Sequence, residues 1–316
     1  MNRRTRRTLL IVAAVLLLLA VAIFLRSKAP PEAARLLPES DGILYVDLRP
    51  IRALFHKQLK PPQRVPEYQQ FLDAIGIDPD RDLDQAAIAL HRLPNPNGPN
   101  GPVAYSMVLV GKITGARLNT WLGAHAAARE NYAGHAIYSI PSEGRTVRIA
   151  QIGYDMVAIS NTPSPEQIHS IIDRHSTAAW PFAGSSLLRR YYHAVPLLSL
   201  AWGVGQIGLP FSESGAIHIY GFALPLEPDS TIVASLRWAG SLHLRVEDFA
   251  PNASVAASQT ANLTALLALA RGLALPLGQT QANSAFREIL QTAEVSQHGE
   301  RIVLTSTLPA SFFSGL

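Results

Sequence analysis

The sequence predicts an α+β fold that follows an N-terminal transmembrane helix, and three observations lead to this prediction. The first seven residues contain four arginines and run into an unbroken apolar stretch from Leu9 to Leu25. The rest of the chain alternates short strand-like segments joined by tight turns with amphipathic helical segments. Hydrophobic residues make up 48% and charged residues 16% of the 316 positions, which is enough to bury a substantial core.

The N-terminal segment predicts a retained membrane anchor. Its seventeen apolar residues rise about 25 Å as a helix, which snorkelling arginines extend toward the about 30 Å of a hydrocarbon core. The basic residues lie before the span, so the positive-inside rule places the N-terminus in the cytoplasm and the main domain outside it. The topogenic residues are Arg3, Arg4, Arg6 and Arg7.

The same reasoning divides the chain into five parts. We expect a cytoplasmic basic tail at 1–7, a signal anchor at 8–26, a tether at 27–38, a first α+β half at 39–180 and a second α+β half at 181–316.

Two other interpretations of the N-terminus stay open. A cleavable signal peptide also begins with basic and apolar segments, but the nearest small-x-small site, Ser27-Lys28-Ala29, is followed at once by Pro30 and Pro31. A twin-arginine export signal is outlined by residues 5–10 and would imply folding before export. In each case the main domain leaves the cytoplasm.

The net charge of +4 belongs to the anchor. Residues 1–28 hold six of the 27 Lys and Arg and none of the 23 acidic residues, which leaves 21 basic against 23 acidic residues, or −2, for the rest. A nucleic-acid-binding role therefore loses its electrostatic basis. The absence of cysteine excludes a lipoprotein anchor, disulfides, zinc–cysteine sites and thiol catalysis.

Alternating apolar residues and turn signals predict the strands. Pro50 closes the first strand, and the loop at 94–102 consists only of Pro, Asn and Gly. We expect strands at 42–48, 86–91, 103–110, 135–140, 146–152, 156–160, 197–203, 216–224, 231–238, 241–247, 293–297 and 301–307.

Apolar positions at helical spacing predict the helices. Gly76 ends the first of them, and Ile168, Ile171 and Ile172 form the apolar face of the third. The nearly uncharged segment Ala253 to Ala274 is expected to be a buried soluble helix rather than a second span. The predicted helices cover 68–75, 115–129, 165–175, 186–194, 253–274 and 283–292.

The order of elements indicates an internal repeat. A strand at 103–110, a helix from Gly115 and a hairpin around residue 144 recur as a strand at 241–247, a helix from Ala253 and a hairpin around Gly299. We expect a duplicated strand-helix-hairpin unit, with mixed, mainly antiparallel sheets and helices on one face.

One acidic segment contains the weak candidates for a metal site. Asp78, Asp80 and Asp82 are spaced as in a calcium loop, but Leu83 and Ala89 stand where a helix-loop-helix site needs Gly and Glu. The simpler interpretation is a turn whose carboxylates accept backbone N–H groups. We therefore assign no metal or cofactor and name these aspartates only as weak candidates.

Other segments resemble chemical motifs only in part. Residues 203–208 match a dinucleotide fingerprint but lead to Pro210 rather than to a helix. Glu166, His169 and Asp173 share one helical face, which a solvated polar surface explains more simply. The run at 189–193 (Arg-Arg-Tyr-Tyr-His) could contact an acidic partner or lipid headgroups, although packing of its tyrosines is the simpler explanation.

The first half carries a resemblance to a known group. Residues 37–49, followed by residues 76–84 leading into a strand, resemble bacterial single-pass, membrane-anchored extracytoplasmic proteins that have no assigned activity. The resemblance implies a Gram-negative envelope location and supplies no site residues.

Taken together, these features predict a non-catalytic binding or scaffolding module of the bacterial inner membrane with a periplasmic or extracellular main domain. It would contact the lipid bilayer through residues 8–26 and bind a protein partner in the envelope, but not nucleic acid. One alternative is a membrane-tethered, metal-dependent hydrolase using the three aspartates. Another is a lipid or hydrophobic-ligand carrier with an apolar cavity near the helix at 253–274.

Overall fold

The computed structural model describes residues 12, 15–17, 19, 28–55, 66–142, 144–177, 183–206, 216–219, 222–225, 230–274 and 281–309. Within these residues, twelve strands form one sheet whose neighbouring strands are all antiparallel. Its order is β13-β14-β12-β11-β8-β1-β2-β3-β7-β6-β5-β4, and β9 and β10 form a separate pair. The α+β fold with a largely antiparallel sheet is confirmed.

The strands are β1 Gly42–Asp47, β2 Leu83–Arg92, β3 Val103–Gly111, β4 Ala128–Tyr132, β5 His135–Ser142, β6 Arg145–Gln151, β7 Met156–Ser160, β8 Ser199–Gln206, β9 Ala216–Ile219, β10 Phe222–Pro225, β11 Thr231–Trp238, β12 Leu242–Phe249, β13 Glu294–His298 and β14 Arg301–Leu308.

The helices are α1 Glu32–Arg35, α2 Leu48–Phe55, α3 Pro66–Ile75, α4 Pro79–Asp82, α5 Gly115–His125, α6 Glu166–Ser176, α7 Ser186–Tyr191, α8 Ala253–Ala274 and α9 Gln281–Thr292, with a 3-10 turn at Tyr192–Ala194.

Helices cover both faces of the sheet, so the prediction of helices on one face is wrong. Face one carries Tyr45 and Trp202, and α1, α6 and α7 pack on it. Face two carries Tyr138 and Val157 where α3 and α5 pack, and α2, α8 and α9 cover it in the second half. Central strands such as β3 present apolar side chains on both faces, and each face therefore needs cover.

The predicted tether is part of the core. Pro31 precedes α1, and Ala33, Ala34 and Leu37 are fully buried in the cluster that also contains the apolar face of α6. Burial of these apolar side chains stabilises the fold, and an extended, solvent-exposed linker would forgo that stabilisation. The folded domain consequently begins only a few residues after the predicted anchor.

Helix α8 has the predicted bounds but not the predicted burial. Ala256, Leu263 and Ala270 face β13, β14 and α9, whereas Leu269 is 55% exposed. The Arg271 guanidinium donates to the carbonyl oxygens of residues 290 and 293. In the part of the chain that the structure describes, residues Ala253–Gly272 form the one helix long and apolar enough to cross a membrane, with 22% of the apolar window buried.

The two halves differ in how their strands pair. In the second half β14, the second strand of the terminal hairpin, pairs directly with β12. In the first half β7 lies between β3 and the corresponding hairpin of β5 and β6. In addition, the helix expected to reach residue 129 ends at His125, and β4 follows it. The predicted repeat is therefore not reproduced strand by strand.

Most of the predicted anchor lies outside the described residues, including Arg3, Arg4, Arg6 and Arg7. The described members of the apolar run, at 12, 15–17 and 19, are helical. Their side chains are 49–66% exposed in a structure that contains no lipid.

Candidate functional site

One line of paired residues runs across face one from β5 to β13 and shows where that face changes character. From β5 to β8 its members are apolar and lie under helices, and from β11 to β13 they are polar. In sheet order the line contains Ile137, Ala150, Ala158, Val108, Ala87, Tyr45, Trp202, Ser235, Arg245, Thr305 and Glu294.

The polar side of face one forms a cleft of about 490 Å³. We call this region the open face and define it by six side chains on β11, β12 and β14. Arg237, His243 and Arg245 carry a positive charge or can acquire one, and Glu294 is the acidic residue at the edge of the open face. The open face consists of Ser235, Arg237, His243, Arg245, Thr305 and Thr307.

Hydrogen bonds fix the cationic side chains on this surface. Arg245 Nε donates to Glu247 Oε1 at 2.8 Å, and Arg301 Nη1 approaches the other carboxylate oxygen at 3.5 Å. The Glu247 side chain is only 3% exposed, whereas the two arginines are 38% and 43% exposed. His243 Nε2 lies 3.0 Å from Ser241 Oγ. A buried carboxylate thus orients arginines that still reach solvent.

A second cleft, of about 320 Å³, continues from the open face toward the start of the folded domain. It is bordered by Lys28, His193, Arg245, Glu247 and Arg301. Two arginines and a lysine face one glutamate here, so this region is also cationic.

A third cleft, again of about 320 Å³, contains aromatic side chains beneath Pro30 and Pro31. Trp202 stacks on Tyr45 at 5.4 Å between ring centroids and meets Tyr192 edge-on at 5.3 Å. Burial raises the pKa of Tyr192 to about 12. Burial, with a smaller contribution from the Asp47 charge, also raises the pKa of Tyr45. Both phenols therefore stay neutral and act as packing groups.

The loop at residues 195–198 connects the three clefts. Pro196 borders all of them, and Leu197 borders the second and third. Leu198 is 88% exposed and has a φ of 62°, a left-handed conformation that costs an L-residue energy.

Helix α7 positions this loop, and a carboxylate holds the helix N-terminus. Glu39 Oε2 accepts hydrogen bonds from Ser186 N at 2.8 Å and Ser186 Oγ at 2.6 Å, and Arg174 Nη2 donates to Oε1 at 3.1 Å. Burial tends to raise the pKa of the Glu39 carboxyl, but these hydrogen bonds and the Arg174 charge lower it overall. The carboxylate form is therefore favoured at this helix end.

Asp78 and Asp82, two of the weak metal candidates, accept hydrogen bonds from backbone N–H groups of one turn. Asp78 caps α4 by accepting from Asp80 N at 3.2 Å, and Asp82 accepts from Asp78 N at 2.9 Å. Arg81 also donates to Asp82, and the hydrogen bond and charge of its guanidinium lower the pKa of that carboxyl. Among the described residues, no three His, Asp or Glu side chains are grouped as metal ligands.

The polar face of α6 is directed at β4. His169 Nε2 lies 2.9 Å from Glu130 Oε1 and its ring stacks on Tyr132, while Tyr132 Oη donates to Asp173 at 2.9 Å. Glu166 instead accepts from a serine two residues before it. These side chains connect α6 to β4, a strand that was not predicted from the sequence.

The remaining motif-like segments have structural roles. Gly203 and Gly205 lie within β8, between β1 and β11, so the described part of the fingerprint is a central strand and not a phosphate loop. Tyr191 packs edge-on against Phe249 at 5.1 Å, while Arg189 and Arg190 are exposed on α7. The tyrosine-packing interpretation of residues 189–193 is consistent with these contacts.

Face one also contains a buried polar network that the sequence analysis did not identify. His91 Nε2 lies 2.9 Å from Ser106 Oγ, which lies 3.2 Å from Ser160 Oγ, and Thr162 Oγ1 continues the chain at 2.9 Å. Burial lowers the pKa of His91 despite the nearby Asp41 charge. Ser106 is fully buried, so a substrate could not reach this serine–histidine pair, and the network stabilises the fold.

Sequence patterns did not indicate the open face because its residues come from the β11–β12 hairpin, the distant strand β14 and the loop that carries Pro196. Each of β11, β12 and β14 contributes two side chains, and the loop carrying Pro196 closes one side. One available signal was the alternation of polar residues at 243, 245 and 247 in a strand otherwise expected to be covered.

Comparisons with known proteins gave limited similarity. No family model and no curated protein matches this chain. Crystal form III of TP0453 has a TM-score of 0.48 at 12% identity, covering 91% of this chain and 99% of that chain. Form IV gives 0.46 at 9% identity, with 90% and 95% covered, and form I gives 0.47 at 10%, with 91% and 97% covered. Similarity at these TM-scores carries no conclusion about function.

Proposed function

We propose that this protein is a membrane-anchored, extracytoplasmic binding module of the bacterial envelope, and that it binds an acidic group of a protein partner on the open face. Arginine, lysine and histidine side chains at the surface suit a carboxylate-bearing ligand. The function requires binding and orientation, and it assigns no catalytic step to any residue.

The observation that carries the proposal is the polar part of face one, on which none of the described helices packs. One face of an antiparallel sheet can face water, and here α1, α6 and α7 cover only the apolar part of face one. Beyond Trp202 the described surface is instead a cleft of about 490 Å³ that exposes arginine side chains. Binding sites are concave and use precisely placed polar groups to orient what they bind, and this cleft offers both features.

The membrane anchor and its orientation are part of the proposal. They are supported by the four arginines before the apolar run and by a folded domain that starts near residue 28. Because the chain has no cysteine, a single Tyr154→Cys variant gives an unambiguous probe at a side chain that is 95% exposed. A membrane-impermeant maleimide should label it from the extracytoplasmic side, and alkaline carbonate should leave the protein in the membrane.

Site-directed photo-crosslinking in living cells tests the binding site. A photoreactive amino acid at Thr305 lies on the open face, and the same amino acid at the exposed strand residue Thr146 provides a matched control in the first half. We expect a discrete protein adduct from position 305 and none from position 146. Equal adducts at both positions, or no protein adduct at 305, would contradict the proposed site.

A further inference from the structure

We infer that the loop at residues 195–198, together with Trp238, forms a second contact with the membrane, so that the domain rests on the bilayer beside its own anchor. The inference rests on the proposed anchor at 8–26. It adds an orientation of the domain and names the side chains that enter the lipid interface.

Chain length brings the start of the domain to the bilayer. Two residues separate Leu25, the last residue of the apolar run, from Lys28, and the three Cα-to-Cα steps between them span at most about 11 Å. The headgroup region of one leaflet is itself about 5–8 Å thick. Lys28 must therefore lie in or next to the headgroups.

The loop is adjacent to this point of entry. Lys28 borders the same cleft as Leu197, and Pro30 and Pro31 border the same cleft as Leu197 and Leu198. Side chains that share these clefts with the first residues of the domain are held close to the membrane surface.

The exposed side chains here are those that a bilayer interface accepts. Leu197 is 44% exposed, Leu198 88% and Trp238 36%. The pairing of Arg237 with Ser199 places Trp238 at the same end of the sheet as Leu198, on face two, where its ring meets Phe55 edge-on at 5.5 Å. Leucine enters the acyl region, tryptophan favours the interface, and Lys28 can reach phosphate groups.

The backbone of Leu198 is further support. Its φ of 62° is a conformation in which glycine or asparagine would be less costly, yet the chain has a fully apolar side chain there, directed to the surface. Exposure of this side chain to water does not offset the cost of the backbone conformation, whereas transfer of a leucine side chain into lipid is favourable.

The opposite end of the central strands lies far from the point where the chain enters the domain. Strand β2 begins two residues before Gln85, which borders the same cleft as Pro30 and Leu198, and runs ten residues, roughly 33 Å, to the loop at 94–102 made of Pro, Asn and Gly. A residue in that loop therefore provides a reference position away from the membrane.

Depth-dependent fluorescence quenching tests the contact in the full-length protein. Leu198→Cys and Asn97→Cys are each labelled with an environment-sensitive fluorophore, and the protein is reconstituted into phosphatidylethanolamine–phosphatidylglycerol vesicles with lipid-borne nitroxide quenchers. Both positions are exposed, and they lie at opposite ends of the central strands. We expect at least threefold stronger quenching at 198 than at 97.

Three other outcomes overturn the inference and are distinguishable. Weak quenching at both positions in protein that resists carbonate extraction refutes the second contact and leaves the anchor intact. Weak quenching in protein that carbonate removes refutes the contact and the anchor together. A fluorophore at 198 that is protected from aqueous iodide but not quenched by lipid-borne nitroxide indicates contact between copies of the chain.

Discussion

Face one of the sheet has two parts that share strands, register and twist but differ in what covers them. Trp202 lies under the loop after α7, packed between Tyr45 and Tyr192, whereas Thr305, three strands away on the same line, borders an open cleft. The covered part uses side-chain volume to stabilise the fold. The open part retains charged and hydroxyl groups that contribute little to stability, which is what a binding surface requires.

The largest difference is expected for side-chain truncation on that shared line. Trp202→Ala removes a buried ring, and we expect the free energy of unfolding to fall by about 3–5 kcal/mol. Thr305→Ala should change it by no more than about 0.5 kcal/mol. Urea unfolding of the detergent-solubilised full-length chain measures both, and equal losses would show that the two parts do not differ as described.

The next effect concerns the charge that orients the arginines of the open part. Glu247→Gln weakens the hydrogen bonds to Arg245 and Arg301 and should lower the unfolding free energy by about 1–3 kcal/mol. The loss should be smaller than that of Trp202→Ala because both arginines remain hydrated. A larger loss would mean that the open face is a structural core.

The two histidine–serine pairs of face one provide a pH comparison. Burial lowers the pKa of His91 below 6.5, so below that pH the unfolded chain binds more protons and the folded state is progressively destabilised. The stability is complete above about pH 6.5 and falls as the pH drops toward the folded pKa.

Replacing His91 should remove that part of the pH dependence. His91→Gln should flatten the slope of unfolding free energy between about pH 7 and about pH 5.5. His243→Gln is the matched control, because it removes the His243–Ser241 pair, which is partly exposed. A His91→Gln protein with the wild-type slope would refute the burial argument.

The smallest effect is expected at the loop. Leu198→Gly relieves a left-handed backbone and should raise the stability of the detergent-solubilised protein by about 0.5–1 kcal/mol. Leu197 does not have a left-handed backbone, so Leu197→Gly should lower the stability slightly. A loss of stability in Leu198→Gly would show that this side chain packs within the domain.

Sequence patterns predicted most helices and strands, but not which segments pack on each face of the sheet. Segments such as Thr231–Trp238 and Ala253–Ala274 have the predicted bounds because periodicity and turn residues are local signals. The covering of both faces, the burial of Ala33 and Ala34, and the intervention of β7 depend on contacts between distant segments, and local patterns contain no record of these.

The candidate site was less predictable than the fold. Asp78 and Asp82 are close in sequence and attract attention, yet they only hold a turn. Arg237, Arg245 and Thr305 become neighbours only when β11, β12 and β14 pair. A cleft that joins a hairpin to a strand about sixty residues further along the chain has no linear signature.

The dependence of crosslinking at Thr305 on the open-face charge tests the central claim most directly. Arg237→Gln should reduce the yield of the protein adduct about tenfold, the effect of losing one charge-assisted hydrogen bond of about 1.4 kcal/mol. Arg129→Gln, at an exposed arginine in the first half, should leave the yield unchanged. An adduct whose yield is the same in all three proteins would contradict the proposal that the cations of the open face bind the partner.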